Sequence, residues 1–248
     1  MASKRIVIVG ASSGIGMQSA LRFIEAGWSV GVAARRLEPL QELAERFPQQ
    51  VPTERIDITE EDAPIRLNSL IHKLGGMDCY LHVSGIGFQN PELNPEVELN
   101  TVKTNSEGMV RMVDAAWQYF KKQSGGHIAV VSSIAGTKGL GTAPAYSATK
   151  AMQNRYLEAL EQLSRMQRLN ISITDIRPGF VKTDLLSDGQ NYPMLMEVKS
   201  VSKSIYRAII KRKRRAIIDW RYRVLVLLWR LIPTSLWVRL NIRTKSKK

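Results

Sequence analysis

Tyr146-Ser-Ala-Thr-Lys150 puts a phenol and an ammonium four positions apart at the start of a long stretch of helical period. Four residues on, a helix returns to the same face, with Cβ atoms about 5–6 Å apart. A cation at that range stabilises a phenolate and draws the phenol below its usual ~10, toward working pH. Such a group suits proton transfer at a carbonyl oxygen. Thirteen residues upstream, Ser132-Ser133 closes a short apolar run. Its hydroxyls would project from a strand's carboxyl end, the edge at which parallel sheets bind ligands. A Tyr-x-x-x-Lys pair by itself is common on exposed helices, so its meaning comes from its surroundings.

A second cluster lies near the amino end, where Gly10-Ala-Ser12-Ser13-Gly14-Ile15-Gly16 follows the apolar run Ile6–Val9. A small-residue turn between a strand and a helix lets the backbone approach a pyrophosphate, and the helix end offers unpaired N–H groups and a positive dipole. The next predicted strand ends in Arg35-Arg36. An acid there would favour the unphosphorylated dinucleotide, whereas guanidinium groups suit a 2′-phosphate. NADP(H) is therefore favoured over NAD(H). Asp57-Ile58, after the third strand, is placed to flank an adenine ring, or Asp57 to cap the following helix.

These residues need an alternating frame to hold them. Predicted strands are Ile6–Val9, Val30–Ala33, Val51–Ile56, Cys79–Val83, Ile128–Val131, Ile171–Ile176 and Ala216–Ile218. Helical stretches between them include Ile15–Ala26, Leu37–Phe47, Ala63–Leu74, Val102–Lys121 and Ala148–Leu169. Apolar strands without alternation are covered on both faces, and a β-α-β order means a parallel sheet with right-handed crossovers. The fold class is α/β: one doubly wound Rossmann domain over residues 1–219, followed by an amphipathic helical appendage over 220–248.

Composition excludes other chemistries. His72, His82 and His127 are scattered and Cys79 is the one cysteine, which leaves no metal-ligand spacing and no intramolecular disulfide. A lone thiol in an apolar run reads as core and fits a reducing, cytoplasmic setting. Lys4-Arg5 precedes four apolar residues, a strand rather than an export signal, and no apolar run nears the ~20 residues that span a bilayer.

The glycine turn, Asn105, Ser133, Tyr146-x-x-x-Lys150 and Pro178-Gly179, in this order and spacing, resemble the short-chain dehydrogenase/reductase family over roughly residues 4–219. The resemblance implies a seven-stranded parallel sheet, no separate substrate domain, and NAD(P)-dependent oxidation or reduction at CH–OH/C=O groups. It implies that Ser133 hydrogen-bonds the substrate oxygen, Tyr146 transfers the proton, and Lys150 lowers the phenol pKa and binds the nicotinamide ribose. Asn105 would anchor a water linking Lys150 to solvent. Gly10, Ser12, Ser13, Gly14, Ile15 and Gly16 would hold the phosphates, and Arg35 the 2′-phosphate. Pro178, Gly179, Val181 and Thr183 would lie against the nicotinamide end. It also implies homodimers or tetramers through the helices holding Asn105 and Tyr146. Two departures stand out. The usual Asn-Asn-Ala-Gly reads His82-Val83-Ser84-Gly85, with Ser84 and Gly85 still permitting close cofactor approach and His82 read as a core residue. The threonine common before the first glycine is Val9.

The formal net charge is +14, and residues 211–248 hold thirteen Lys/Arg against Asp219 alone. The end of the chain is basic, apolar and aromatic at once, with Trp220, Trp229 and Trp237. It suits helices lying in an anionic membrane interface. Docking on the protein's own body or on a partner subunit is the second reading. Nucleic-acid binding is disfavoured, because no recognised module accompanies the basic residues. An interfacial tail implies a lipid-soluble substrate under an apolar lid formed by Leu185, Leu186, Tyr192, Met194, Leu195 and Met196. Similar tails occur in family members that reduce long-chain keto-lipids or polyprenyl-linked keto-sugars. The alternative is a non-catalytic dinucleotide-binding scaffold recruited by its tail; such a scaffold has no use for the phenol–ammonium pair.

Overall fold

Ile6 to Val9 expose nothing to solvent, and the flanking strands are nearly as dry, so the sheet must be covered on both faces. In the computed structural model, which describes residues 4–48, 50–186, 190–242 and 245–246, that is the arrangement. The side chain of Leu185, assigned above to the lid, lies outside the described residues, as do Arg243, Lys247 and Lys248 of the basic end. The main strands are β1 (Arg5–Val9), β2 (Ser29–Ala34), β3 (Thr53–Arg55), β4 (Cys79–His82), β5 (Gly126–Val131), β6 (Ile171–Arg177) and β8 (Arg215–Ile217). They form one parallel sheet in the order β3-β2-β1-β4-β5-β6-β8. A short ribbon pairs β7 (Gln190–Asn191) with β9 (Lys245–Ser246).

Strand order reverses on either side of β1, which opens a crevice at the carboxyl ends of β1 and β4. Helices α1 (Gly14–Glu25), α2 (Glu38–Arg46) and α7 (Val198–Ile210) accompany one core around Phe23, Leu40 and Ile205. Helices α3 (Ala63–Lys73), α5 (Met109–Lys122) and α6 (Pro144–Met166) accompany the other, around Leu67, Met112 and Leu157.

Three boundaries differ from expectation. The third strand is Thr53–Arg55 only, because it pairs β2 alone at the sheet's edge. The helix expected from Val102 begins earlier, as α4 (Pro95–Val102), with Asn94 accepting from the Glu96 N–H as its cap. A π-helical turn, Lys103–Gly108, then joins it to α5, and Asn105 sits in that turn. α6 starts at Pro144 rather than Ala148, since proline is tolerated in a first turn. The Glu98 carboxylate accepts from the Ala145 N–H at 2.9 Å, holding that positive helix end.

The C-terminal segment forms α8 (Trp220–Leu231) and α9 (Thr234–Trp237), which lie on the body beside the turn at Ile134–Thr137. Tyr222 and Val226 are buried, with Leu225 and Trp229 packed beside them, a stripe at helical spacing. Val224, Leu227, Leu228 and Leu231 repeat the same spacing on the outward side. Among the described residues, no helix is long and apolar enough to cross a membrane.

Candidate active site

Three loops at the carboxyl edge build the site. The first is the turn from β1 into α1. Gly10 has φ +93°, and a Cβ there would stand 2.5 Å from the Ser84 N, so both chains meet at their backbones. At Gly16 a Cβ would collide with the Gly10 carbonyl oxygen, which lets α1 start directly over the strand. Gly14 has φ +51°, and a Cβ there would meet the Thr183 methyl at 3.1 Å. Ser13 is extended, so the N–H groups of Gly14, Ile15 and Gly16 open α1. This is a cradle that side chains would fill, and it fits a dinucleotide's phosphates.

Arg35 and Arg36 are exposed at the end of β2, and Arg36 donates to Ser12 Oγ at 3.4 Å. That contact sets a guanidinium and a hydroxyl side by side at the rim of the phosphate turn. Asp57 does not cap the next helix: its Oδ1 accepts from Thr59 N at 3.0 Å and from Thr59 Oγ1 at 2.8 Å, closing an Asx turn. Ile58 is core, packed where a Cβ on Gly108 would meet its Cγ1 at 2.9 Å.

The second loop follows β4. Asn105 pins it, accepting from Ile86 N at 2.9 Å and donating to Ile86 O at 2.7 Å. Gly85 lies over that amide, 3.2 Å from Asn105 Oδ1 to its ideal Cβ position. Gly87 crosses the phenol, since a Cβ there would come within 2.7 Å of Tyr146 Cδ2 and Cε2. His82 is wholly buried, its Nδ1 2.9 Å from Tyr80 Oη. Burial, with Lys150 nearby, pulls its pKa down to about 3, so it is a neutral core residue and no base.

The third loop follows β6. Ser133 stands at the end of β5, accepting from Ala135 N at 3.1 Å and reaching the Pro178 carbonyl at 3.4 Å. Its hydroxyl is near enough to Tyr146 to favour the phenolate. Lys150 Nζ is 5.7 Å from the centre of the Tyr146 ring and donates to Val131 O at 3.3 Å. Ser133, Tyr146 and Lys150 thus converge as their spacing suggested.

Their electrostatics differ from the simple expectation. Burial, not the neighbouring cation, has the larger effect on Tyr146 and raises its pKa, with the Ser133 hydroxyl opposing. Burial also pulls Lys150 down to about 8, with Asp175 opposing. Burial thus favours the protonated phenol.

Ile15, Gly85, Ser133, Tyr146, Lys150, Pro178, Gly179, Val181 and Thr183 border one cavity of about 820 Å³. Val181 itself is buried and bridges to Met196, so its main chain is what the cavity can use. The rest of the lining is mostly apolar and includes Phe88, Leu140, Leu186, Met194, Leu225 and Trp229.

The sequence matches the short chain dehydrogenase family over residues 4–191. The chain belongs to that family. An "Uncharacterized oxidoreductase" of Myxococcus xanthus is 30% identical over 245 residues, covering 96% of both chains. A short-chain dehydrogenase from Streptomyces avermitilis superposes with TM-score 0.80 at 20% identity, over 91% of this chain and 92% of the other. ElxO, solved with NADP bound, gives TM-score 0.78 at 23% identity, over 90% of this chain and all of its own. The chain is accordingly an oxidoreductase of the short-chain dehydrogenase type, a fold that binds a nicotinamide dinucleotide.

This short-chain dehydrogenase adds parts that sequence reasoning missed. Tyr222 of α8 reaches under the third loop, its Oη accepting from Phe180 N at 3.0 Å and lying 3.0 Å from Pro193 O. A Cβ at Gly179 would collide with that ring, so the Pro178-Gly179 turn is shaped by the C-terminal helix. Trp237 Nε1 donates to Gly139 O at 2.7 Å, and Trp229 meets Trp237 edge-on at 5.3 Å. No local pattern announces contacts across such chain distances. Gln153 was also missed, although it shares a helix face with Tyr146 and Lys150.

Proposed function

We propose that this chain is an NADP(H)-dependent reductase of hydrophobic ketones that works from an anionic membrane surface. The observation that carries the reading is the meeting of Ser133, Tyr146 and Lys150 on one wall of a large cavity whose remaining lining is mostly apolar. When bound, the nicotinamide would supply the hydride for the carbonyl carbon. Gly10 to Gly16 would hold the pyrophosphate at the α1 terminus, and Arg35 and Arg36 the 2′-phosphate. Lys150 would hold the ribose hydroxyls. Ser133 would donate its hydroxyl to the substrate oxygen and fix it beside Tyr146. Tyr146 Oη would then release its proton to that oxygen as the carbonyl becomes an alcohol. ElxO, of the same fold, was solved with NADP.

The lipid preference is supported by the cavity's apolar roof of Leu225 and Trp229, contributed by the same helix that turns Val224, Leu227, Leu228 and Leu231 outward. Arg221, Arg223 and Arg230 flank that outward stripe and suit anionic headgroups. A homo-oligomer belongs to the reading too: Leu99 and Val102 of α4 are exposed at 69% and 45%, apolar surface for a second copy to cover. Light scattering that returns a monomer removes that part.

The catalytic test is Tyr146→Phe, followed by NADPH consumption on long-chain and sugar-lipid ketones. Turnover should vanish while NADPH binding stays within a few-fold; undiminished turnover would falsify the assignment of Tyr146.

A further inference from the structure

Gln153 is wholly buried in α6, and neither proton transfer nor nucleotide binding as described accounts for a polar side chain there. It stands three residues beyond Lys150 and seven beyond Tyr146, which puts all three on one helix face. Its carboxamide is used at both ends. Oε1 accepts from Lys150 Nζ at 3.0 Å, and Nε2 donates to the Asn105 main-chain carbonyl at 2.7 Å. Asn105 lies in the π turn, and its own amide holds Ile86 of the loop over the phenol. One side chain therefore ties the ammonium to the element that fixes that loop.

We propose that Gln153 is a positioning residue for Lys150, bridging its ammonium directly to the Asn105 carbonyl where the family resemblance implies a water. The two bridges differ chemically. Water can rotate and pass a proton along, whereas a carboxamide has fixed donor and acceptor ends and passes none. The bridge thus anchors the ammonium without giving its proton a path inward, and Lys150 exchanges with solvent through the cavity. The charged and titratable groups facing Lys150 are Tyr146 from its own helix, His82 from β4 and Asp175 from β6. His82 stays neutral, and Asp175 is already bound by Arg177 and Ser132. Gln153 is the neighbour whose exchange would alter the ammonium most directly.

The kinetic consequence rests on the proposed function, so the test carries a second readout that does not. The Lys150 ε-carbon and ζ-nitrogen NMR signals of the full-length protein, assigned by their loss in Lys150→Met, are titrated in wild type, Gln153→Leu and Gln153→Glu. The wild-type midpoint should fall at about 8. Gln153→Leu removes an acceptor from an ammonium and should lower the midpoint by about one pH unit. Gln153→Glu, nearly isosteric, sets a carboxylate beside it and should raise the midpoint by about one unit or more. The alkaline limb of kcat should move in the same directions. A side chain that merely fills space would leave both midpoints where they were in folded protein, and that result overturns the proposal. Should the leucine variant not fold, the glutamate variant decides alone. A wild type that reduces no ketone would sink the proposed function while leaving the NMR titration to decide Gln153.

Discussion

Lys150 is a charge buried for chemistry, and Lys150→Met should expose what that burial costs in stability. The folded lysine is pulled from 10.5 to about 8, mainly by loss of water around it. Below about 8 it is charged in the folded and unfolded chain alike. Between about 8 and 10.5 the folded chain has released the proton and the unfolded chain still binds it. Stability therefore rises with pH across this window. At about 1.36 kcal/mol per pH unit, the interval amounts to about 3 kcal/mol. Methionine keeps much of the volume and removes the titrating charge. The stability difference, variant minus wild type, should be most positive near neutrality and fall by about 3 kcal/mol by the alkaline end of the window. Its absolute value at neutral pH is reduced by about 1–3 kcal/mol, because Gln153 Oε1 loses its partner. The slope is free of that offset. Urea unfolding of both proteins at a series of pH values measures it, with ΔG from midpoint and m-value. A difference that does not change with pH would refute the account of a lysine destabilised by burial, whatever its absolute size.

Other tests follow from single contacts. Gly87→Ala places a methyl 2.7 Å from two ring carbons of Tyr146. A displaced phenol should lower kcat about 10–100-fold with NADPH affinity little changed, and an unaltered kcat would show that the loop yields instead. Arg35→Ala should weaken NADPH binding about ten-fold or more and leave NADH binding unchanged. Equal affinity for the two dinucleotides in the starting protein removes the 2′-phosphate argument. For the membrane surface, truncation before Trp220 is a poor test because it deletes the buried Tyr222. Changing the exposed Leu227, Leu228 and Leu231 together to serine spares the body, and should abolish flotation with anionic vesicles. Equal flotation of both proteins would discard the lipid interface.

Much of the site was legible because its signals are local. Tyr146 and Lys150 meet through helical spacing alone, and Gly10, Gly14 and Gly16 declare a strand-to-helix turn that tolerates no side chains. Unalternating apolar runs fixed the sheet as parallel and doubly covered before any coordinate, and the observed order agrees. That Ile58 packs its side chain into the core could not be read locally, because a residue after a strand carries no mark of which side of the chain will be packed. The early start of α4 was missed because its apolar face is weak and only its Asn94 cap and first-turn proline define it.

What the amino-acid sequence determined by itself, then, is the order of elements, the phosphate turn and the pairing of phenol with ammonium, all set by spacings of a few residues. Tertiary structure alone decided the protonation balance at Tyr146 and Lys150, the hold of Gln153 on the Asn105 carbonyl, and the docking of the C-terminal helices through Tyr222 and Trp237 that brings Leu225 and Trp229 into the cavity wall. Burial and hydrogen bonding between distant segments depend on which surfaces meet after folding. Local propensity and periodicity carry no record of those meetings.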